Sequence, residues 1–407
     1  MRLLKLTTPY PAYLRRFYAA RPELVGASYQ AQKDALAHDA FGLTDFWPHG
    51  LGELGYDAVE LQVNNVHLQA AWAAENGVAQ GPDPLALARE QVRRFQPDVL
   101  VADDYVTFSY DWLTELKEAV PSIRLTLGWC GAPYPDAKVF NAYDIVLSCI
   151  PELVTHFRTL GHVSEHLNHA FDPRILARLG EPTQQDIAFS FIGSIVRANR
   201  FHQQREAILL GLKDAVPLQI FAPSAQSSWR DDLTTFAKRT LFRAMDAGKQ
   251  LGIPAESLAR LPKVGRAASW AQAPEYPVHR GLKPFMRPPV FGLEMYRTLL
   301  RSKATFNSHI DISSNSASNM RLFEATGIGA CLVTDWKDNL HDLFEPDAEV
   351  VTYRSAEECI EKVKWLMDHP RERDEIARRG QVRTLQAHTV SHRMARLDEI
   401  IQGAVRH

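Results

Sequence analysis

The amino-acid sequence predicts an α/β protein made of two Rossmann-like, doubly wound domains facing one another across a cleft. Three observations carry that expectation. Short apolar, β-branched runs alternate with longer amphipathic stretches, the pattern of parallel strands joined by crossover helices. The alternation runs out near residue 170 and starts again near residue 184. The chain has 407 residues, 45% hydrophobic and 23% charged, which is too long for one ordinary core and too apolar for a disordered chain.

In the first half, strands are expected at 3–7, 58–63, 99–102, 123–127, 145–148 and 165–167. Helices fit between them. Residues 84–95 repeat apolar positions at helical spacing, and Pro97 closes that unit. In the second half the expected strands are 184–193, 218–221, 304–307, 330–334 and 349–352. The polar, proline-bearing segment Glu181-Pro182-Thr183 marks a hinge within 172–185. The expected division is therefore a first domain at 1–175, a second domain at 176–385, and a closing helix at 386–407. Met394, Leu397, Ile400 and Ile401 give that last helix one apolar side.

Residues 224–289 break the alternation. They read as a helix near 229–251 followed by a proline-rich stretch, with basic residues that include Arg230, Lys238, Arg239, Arg243, Lys263 and Arg266. Two readings stand side by side, a helical hairpin bracing the second domain and a basic surface for an anionic acceptor or lipid head group.

Bulk properties exclude several classes. A net charge of −2 provides no global field for nucleic acid. Cys130, Cys149, Cys331 and Cys359 form no CxxC pair, so neither a zinc site nor a disulfide framework is expected, and buried thiols are. No apolar run reaches the ~20 residues that span a bilayer, and Pro9 and Pro11 interrupt the N-terminal run. A cytoplasmic protein without a transmembrane segment, able to touch a membrane only peripherally, is the expectation.

The most informative segment runs from Asn319 to Asp335. A polar loop enters a helix whose first turns hold Arg321 and Glu324, Gly327 and Gly329 close that helix, and a buried strand follows. A helix N-terminus offers free N–H groups and positive dipole to a phosphate, and Arg321 adds charge-assisted hydrogen bonds. Glu324, one turn on, is placed to accept two hydrogen bonds from a ribose diol. The competing reading is a helix cap with an i, i+3 ion pair.

Several ordered motifs then carry a resemblance. Phe291-Gly-Leu-Glu-Met-Tyr296, Phe306-Asn-Ser-His309, Asn319-x-Arg321-x-Phe-Glu324, Thr334-Asp-Trp-Lys337, Leu343-Phe-Glu-Pro and a trailing Arg371-Glu-Arg373…Gly380…His388-Thr…His392-Arg393 resemble the donor-binding domain of GT-B glycosyltransferases of the "glycosyl transferases group 1" type. Within that type the chain is most similar to the spore-maturation branch. The first half shares this through Tyr29…Phe41-Gly-Leu-Thr-Asp45-Phe-Trp-Pro-His49. The similarity covers most of the chain and is weakest at 224–289.

This resemblance implies a hexosyltransferase-type enzyme that uses a nucleotide diphosphate sugar as donor substrate, needs no cofactor and binds no metal. The acceptor implied is a glycan, a lipid-linked sugar or a protein, in polysaccharide or glycoprotein assembly. Glu324 would hold the donor ribose, and the Asn319-x-Arg321 loop would approach the diphosphate. One departure is clear. Retaining members often carry a second Glu eight residues before the first, where this chain has Ser316, so the stereochemical outcome stays open.

Further donor-side candidates follow strand ends: Gly193 and Ser194, then His202 and Arg205 as positive charge, and Asn307 and His309. Phe291 is a candidate wall for the base, with a core aromatic as the alternative. On the acceptor side His49 is the first candidate base and Asp45 the second. Asp103 and Asp104 are read as capping or acceptor contacts, and Trp129 as lining the acceptor pocket or the core. A sugar-nucleotide epimerase and a non-catalytic nucleotide-sugar-binding protein share the expected architecture. Product analysis with donor alone separates the first from a transferase, and binding without turnover marks the second.

Overall fold

The computed structural model describes the chain apart from residues 80, 82, 181–183, 198–202, 227–228, 262–263, 310–312, 314 and 407. The described residues form two parallel sheets of six strands each. The first contains β1 (Arg2–Thr7), β2 (Asp57–Gln62), β3 (Val99–Ala102), β4 (Leu125–Trp129), β5 (Ile145–Ser148) and β6 (Ser164–His166), in the order β2-β1-β3-β4-β5-β6. The second contains β7 (Ile187–Ile192), β8 (Leu218–Phe221), β9 (Met286–Arg287), β10 (Ser302–Phe306), β11 (Leu332–Asp335) and β12 (Val351–Tyr353), in the order β12-β11-β10-β7-β8-β9.

Central strands such as Val99–Ala102 and Ile145–Ser148 are buried at every position. Helices on both faces of a parallel sheet produce that burial, and it is why these strands read as continuous apolar runs. In each sheet the strand order reverses once, between β1 and β3 and between β7 and β10. A reversal of this kind opens a crevice at the carboxyl ends of the strands.

The expected hinge residues 181–183 lie outside the described residues. On either side of them, the Arg174–Leu179 helix follows the first sheet and β7 begins the second. The halves touch at several points. Gly292, at φ +53°, packs its Cα against Asp39, and Arg16 pairs with Glu294 at 2.8 Å. The Val390–Val405 helix crosses back to the first sheet, burying Met394, Leu397, Ile400 and Ile401. There it lies on the Phe46–Gly52 helix, where Gly50 faces Met394 so closely that a Cβ would stand 2.6 Å from its Cγ.

The 224–289 segment folds as the Trp229–Gln250 helix, the short Ala255–Ala259 helix and 3-10 turns around a small core of Met245, Leu258, Ala267 and Ala268. It ends in β9, an edge strand that the sequence pattern did not suggest. The four cysteines are buried free thiols, and burial pushes Cys130 and Cys149 up to about 12.

Candidate functional site

The crevice between β7 and β10 gathers most of the donor-side candidates. After β10, Asn307 donates from Nδ2 to Thr334 Oγ1 at 2.9 Å and accepts at Oδ1 from Asn319 Nδ2 at 2.8 Å. This pairing draws Asn319, the N-cap of the Met320–Gly327 helix, onto the sheet edge. Asn319 does not cap the helix with its own side chain, and among the described residues no other side chain accepts from its first N–H groups. Tyr353 Oη fixes the strand end by donating to the Asn307 carbonyl at 2.9 Å.

Arg321 reaches the same crevice. Its Nη2 donates to the Ile192 carbonyl at the end of β7, and its Nη1 lies 2.9 Å from Glu324 Oε2. The Glu324 residue is buried at 6% exposure. The i, i+3 ion pair of the competing reading is therefore formed. It also sets a guanidinium and an acceptor-only carboxylate beside an uncapped helix N-terminus.

His309 is the most constrained of the candidates. Its ring is fully buried, Nδ1 lies 2.7 Å from Asp335 Oδ1, and its backbone N–H donates to the same oxygen at 3.0 Å. Burial alone would raise the Asp335 carboxyl, but the His309 ring and backbone N–H, with Lys337 at 3.3 Å, hold it down at about 2. An ionised carboxylate only accepts, so Nδ1 carries the proton that it shares with Asp335. Among the described residues, His309 Nε2 is buried with no hydrogen-bond partner. Orphaned buried nitrogens are rare in folded proteins and call for an explanation.

Other candidates take up structural duties. Arg205, expected as positive charge for a ligand, is buried and donates to the Ser194 and Ser308 carbonyls, tying the segments after β7 and β10 together. The Gly193 N–H donates to the Phe221 carbonyl at 3.1 Å, and Ser194 is exposed beside it. Phe291 follows the core-aromatic alternative. Its ring packs edge-on at 5.4 Å from Phe41 and 5.9 Å from Tyr13 of the first half. His202 lies outside the described residues.

Beside the first sheet, Asp45 and His49 belong to one short helix. Asp45 is the N-cap of the Phe46–Gly52 helix at φ +63°, and its carboxylate pairs with Arg174 at 3.1 Å. His49 pairs with Glu53 one turn on at 3.5 Å, with both side chains largely exposed. Asp104 caps, accepting from the Val106 and Thr107 N–H groups and from the Thr8 and Thr107 hydroxyls. Trp129 stands 6.1 Å from Trp47 and 5.3 Å from His169, lining a small cavity with Asn168 and Arg393.

One buried cluster went unread in the sequence. Lys5 in the middle of β1 lies 2.9 Å from Glu60 and 3.1 Å from Asp103. Burial opposes the Lys5 charge, but the two carboxylates outweigh it and raise the ammonium pKa above its ordinary value. The signal was present, since Lys5 is the one charge inside Leu3-Leu-Lys-Leu6. Among the described residues, no group of three or more His, Cys, Asp or Glu is placed to hold a metal ion, and no helix is long and apolar enough to cross a membrane.

Residues 241–399 match the model of a family described as glycosyl transferase-like, so the match begins inside the 224–289 segment. No curated protein sequence matches. Solved structures match across the chain. Alr3699/HepE of Anabaena, in complex with UDP-glucose, is 12% identical over 99% of this chain and 100% of that one, with a TM-score of 0.54. Sucrose-phosphate synthase of Thermosynechococcus elongatus is 8% identical over 100% and 99%, also at 0.54. The fold is GT-B. A glycosyltransferase from Rickettsia africae ESF-5 shares it at 9% identity over 99% and 98%, with a TM-score of 0.51. At these identities the likeness is one of fold. In the GT-B frame, the β7–β10 crevice and the β1–β3 crevice are the two switch points of the paired sheets.

Proposed function

We propose that the chain is a glycosyltransferase that moves a sugar from a nucleotide diphosphate donor to an acceptor hydroxyl. One observation carries the reading. The β7–β10 crevice brings to one sheet edge an uncapped helix N-terminus, Arg321, the buried Glu324 carboxylate and the partnerless His309 Nε2. A diphosphate needs donors and positive charge, and a ribose diol needs an acceptor. Both are present within one turn of helix.

In this reading the donor phosphates lie over the first turn of the Met320–Gly327 helix, with Arg321 on their oxygens and Glu324 on the ribose. The acceptor oxygen bonds to the anomeric carbon while the bond from that carbon to the phosphate oxygen breaks, and the hydroxyl proton leaves to a base or to the departing phosphate. Negative charge grows on the phosphate as that bond breaks. Arg321, the helix N–H groups and a proton on His309 Nε2, backed by Asp335, stabilise it there without a metal or cofactor. Closure of the two halves, at about residue 175, excludes water and aligns the attack.

The finer placement rests on the motif series. We assign the chain to the spore-maturation branch of the group 1 type, acting in the cytoplasm on a surface glycan, lipid-linked sugar or protein. A thermal-shift screen of UDP, GDP, dTDP and their sugar conjugates tests the donor site, with UDP first because HepE was solved with UDP-glucose. A ligand that binds only the folded state raises its melting temperature by mass action. A rise with one nucleotide family is expected, and no rise with any at millimolar concentration overturns the reading.

A further inference from the structure

The Trp229–Gln250 helix has its apolar side facing outward. Trp229, Leu233 and Phe236 are 69%, 57% and 57% exposed. With the exposed Thr240, Ala244 and Ala247 they fall within about 80° of arc at 100° per residue. Arg230 borders this stripe on one side and Arg243 on the other, both exposed. The acids of the helix, Asp231, Asp232 and Asp246, project outside the arc, and Asp232 is held by Lys283. A separate side, through Leu241 and Met245, rests on the small core with Leu258, Ala267 and Ala268. A surface helix of a water-facing protein keeps polar residues on the side turned away from its core.

We propose that this helix is a membrane-interface element that lays Trp229, Leu233 and Phe236 into a bilayer rich in anionic lipid. Its chemistry fits that surface. The stripe supplies two aromatic side chains and a leucine, the flanks supply two guanidiniums at head-group height, and small residues continue the face. The helix is too polar to span, so it lies in the interface plane. A second copy of the chain fits poorly. A two-fold pairing of this face would bring arginines against arginines, with no acid in the arc to answer them. This assignment is independent of the donor reading and concerns where the enzyme works.

The test is co-sedimentation of the full chain with vesicles of phosphatidylcholine alone, and of phosphatidylcholine with one-third phosphatidylglycerol. Wild type is expected to bind the anionic vesicles at least tenfold better, with binding weakened by salt. The Leu233→Glu/Phe236→Glu double variant should lose that binding, and Arg230→Ala/Arg243→Ala should lose the preference for anionic lipid. These side chains are exposed, so melting temperatures should match wild type, and light scattering reports the mass of each. Failure of wild type to bind anionic vesicles overturns the proposal, as does full binding by the double glutamate variant. A wild-type dimer split by the glutamates, with no vesicle binding, would show that the face joins two copies instead.

Discussion

Glu324→Gln separates a ligand role from a purely structural one. The substitution keeps shape and removes charge. In the free protein it leaves Arg321, whose side chain is 15% exposed, without its carboxylate. Breaking a fully buried pair costs about 3–5 kcal/mol. Arg321 keeps the Ile192 carbonyl, and the glutamine oxygen still accepts, so about 1–2 kcal/mol is expected here. In the complex, a ribose diol donating to a carboxylate gains hydrogen bonds of about 1.5–3 kcal/mol. Replacing one oxygen by an NH2 group forfeits about 2 kcal/mol of that, or roughly 30-fold in Kd for UDP. Pyrophosphate has no ribose, and in the variant it meets an Arg321 freed from its counter-charge. It should bind as tightly as to wild type or more tightly. Calorimetric titration with both ligands, alongside melting curves, reads the two effects apart. A lower melting temperature with unchanged UDP affinity would reduce Arg321–Glu324 to a helix-stabilising ion pair and remove the ribose assignment.

Three further outcomes follow from the geometry. Asp335 has a folded pKa of about 2, below the ordinary carboxylate value, so its ionised form stabilises the fold above about pH 4 and the contribution fades as pH falls toward 2. Asp335→Asn should cost about 2 kcal/mol at neutral pH, with the deficit shrinking between about pH 4 and 2 in denaturant titrations, and a pH-independent deficit would contradict this linkage. A Cβ on Gly292 would stand 2.2 Å from Asp39 Oδ2 and 2.5 Å from its carbonyl, on a left-handed backbone. Gly292→Ala should therefore lower the melting temperature by several degrees, at about 2–4 kcal/mol, and an unchanged melting curve would show that the halves do not meet this closely. His49 holds only an exposed pair with Glu53, so His49→Ala should leave stability within about 1 kcal/mol and turnover within about threefold, whereas a hundredfold loss in kcat would return His49 to the acceptor side as the base.

How far the sequence could be read depended on whether an element owed its structure to its own residues. β3 and β5 have the expected bounds because parallel strands buried on both faces must be short continuous apolar runs. β9 has two residues, Met286 and Arg287, between Pro284 and Pro288. It has no period to detect and exists because β8 leaves an open edge, where prolines are tolerated. The donor-side candidates share this division. Asn307, His309, Asn319 and Arg321 could be named because they follow a strand end or open a helix, positions that the fold turns toward a crevice. What each side chain does there depends on partners far away in the chain. Arg205 looked like charge for a ligand, but in the folded chain the nearest acceptors are the Ser194 and Ser308 carbonyls, and a buried guanidinium takes what is closest. Phe291 looked like a wall for a base, but Tyr13 and Phe41, from the first half of the chain, pack edge-on against it.

The same contrast bears on catalysis. His309 lies three residues past β10 and Asp335 ends β11, twenty-six residues later, so their meeting follows from sheet order once β10 and β11 are neighbours. A carboxylate that fixes Nδ1 leaves Nε2 as the only nitrogen free to act, and nothing in the described fold employs it. A structural role for the pair needs the Nδ1 bond alone and would tolerate glutamine at position 309, which can donate to Asp335. A role on the departing phosphate needs a second ring nitrogen able to carry a proton, which glutamine lacks. His309→Gln should therefore keep the melting temperature and UDP affinity near wild type while lowering kcat by at least tenfold. Retained kcat in a stable His309→Gln variant would place the whole of that dyad in the fold and leave leaving-group stabilisation to Arg321 and the helix.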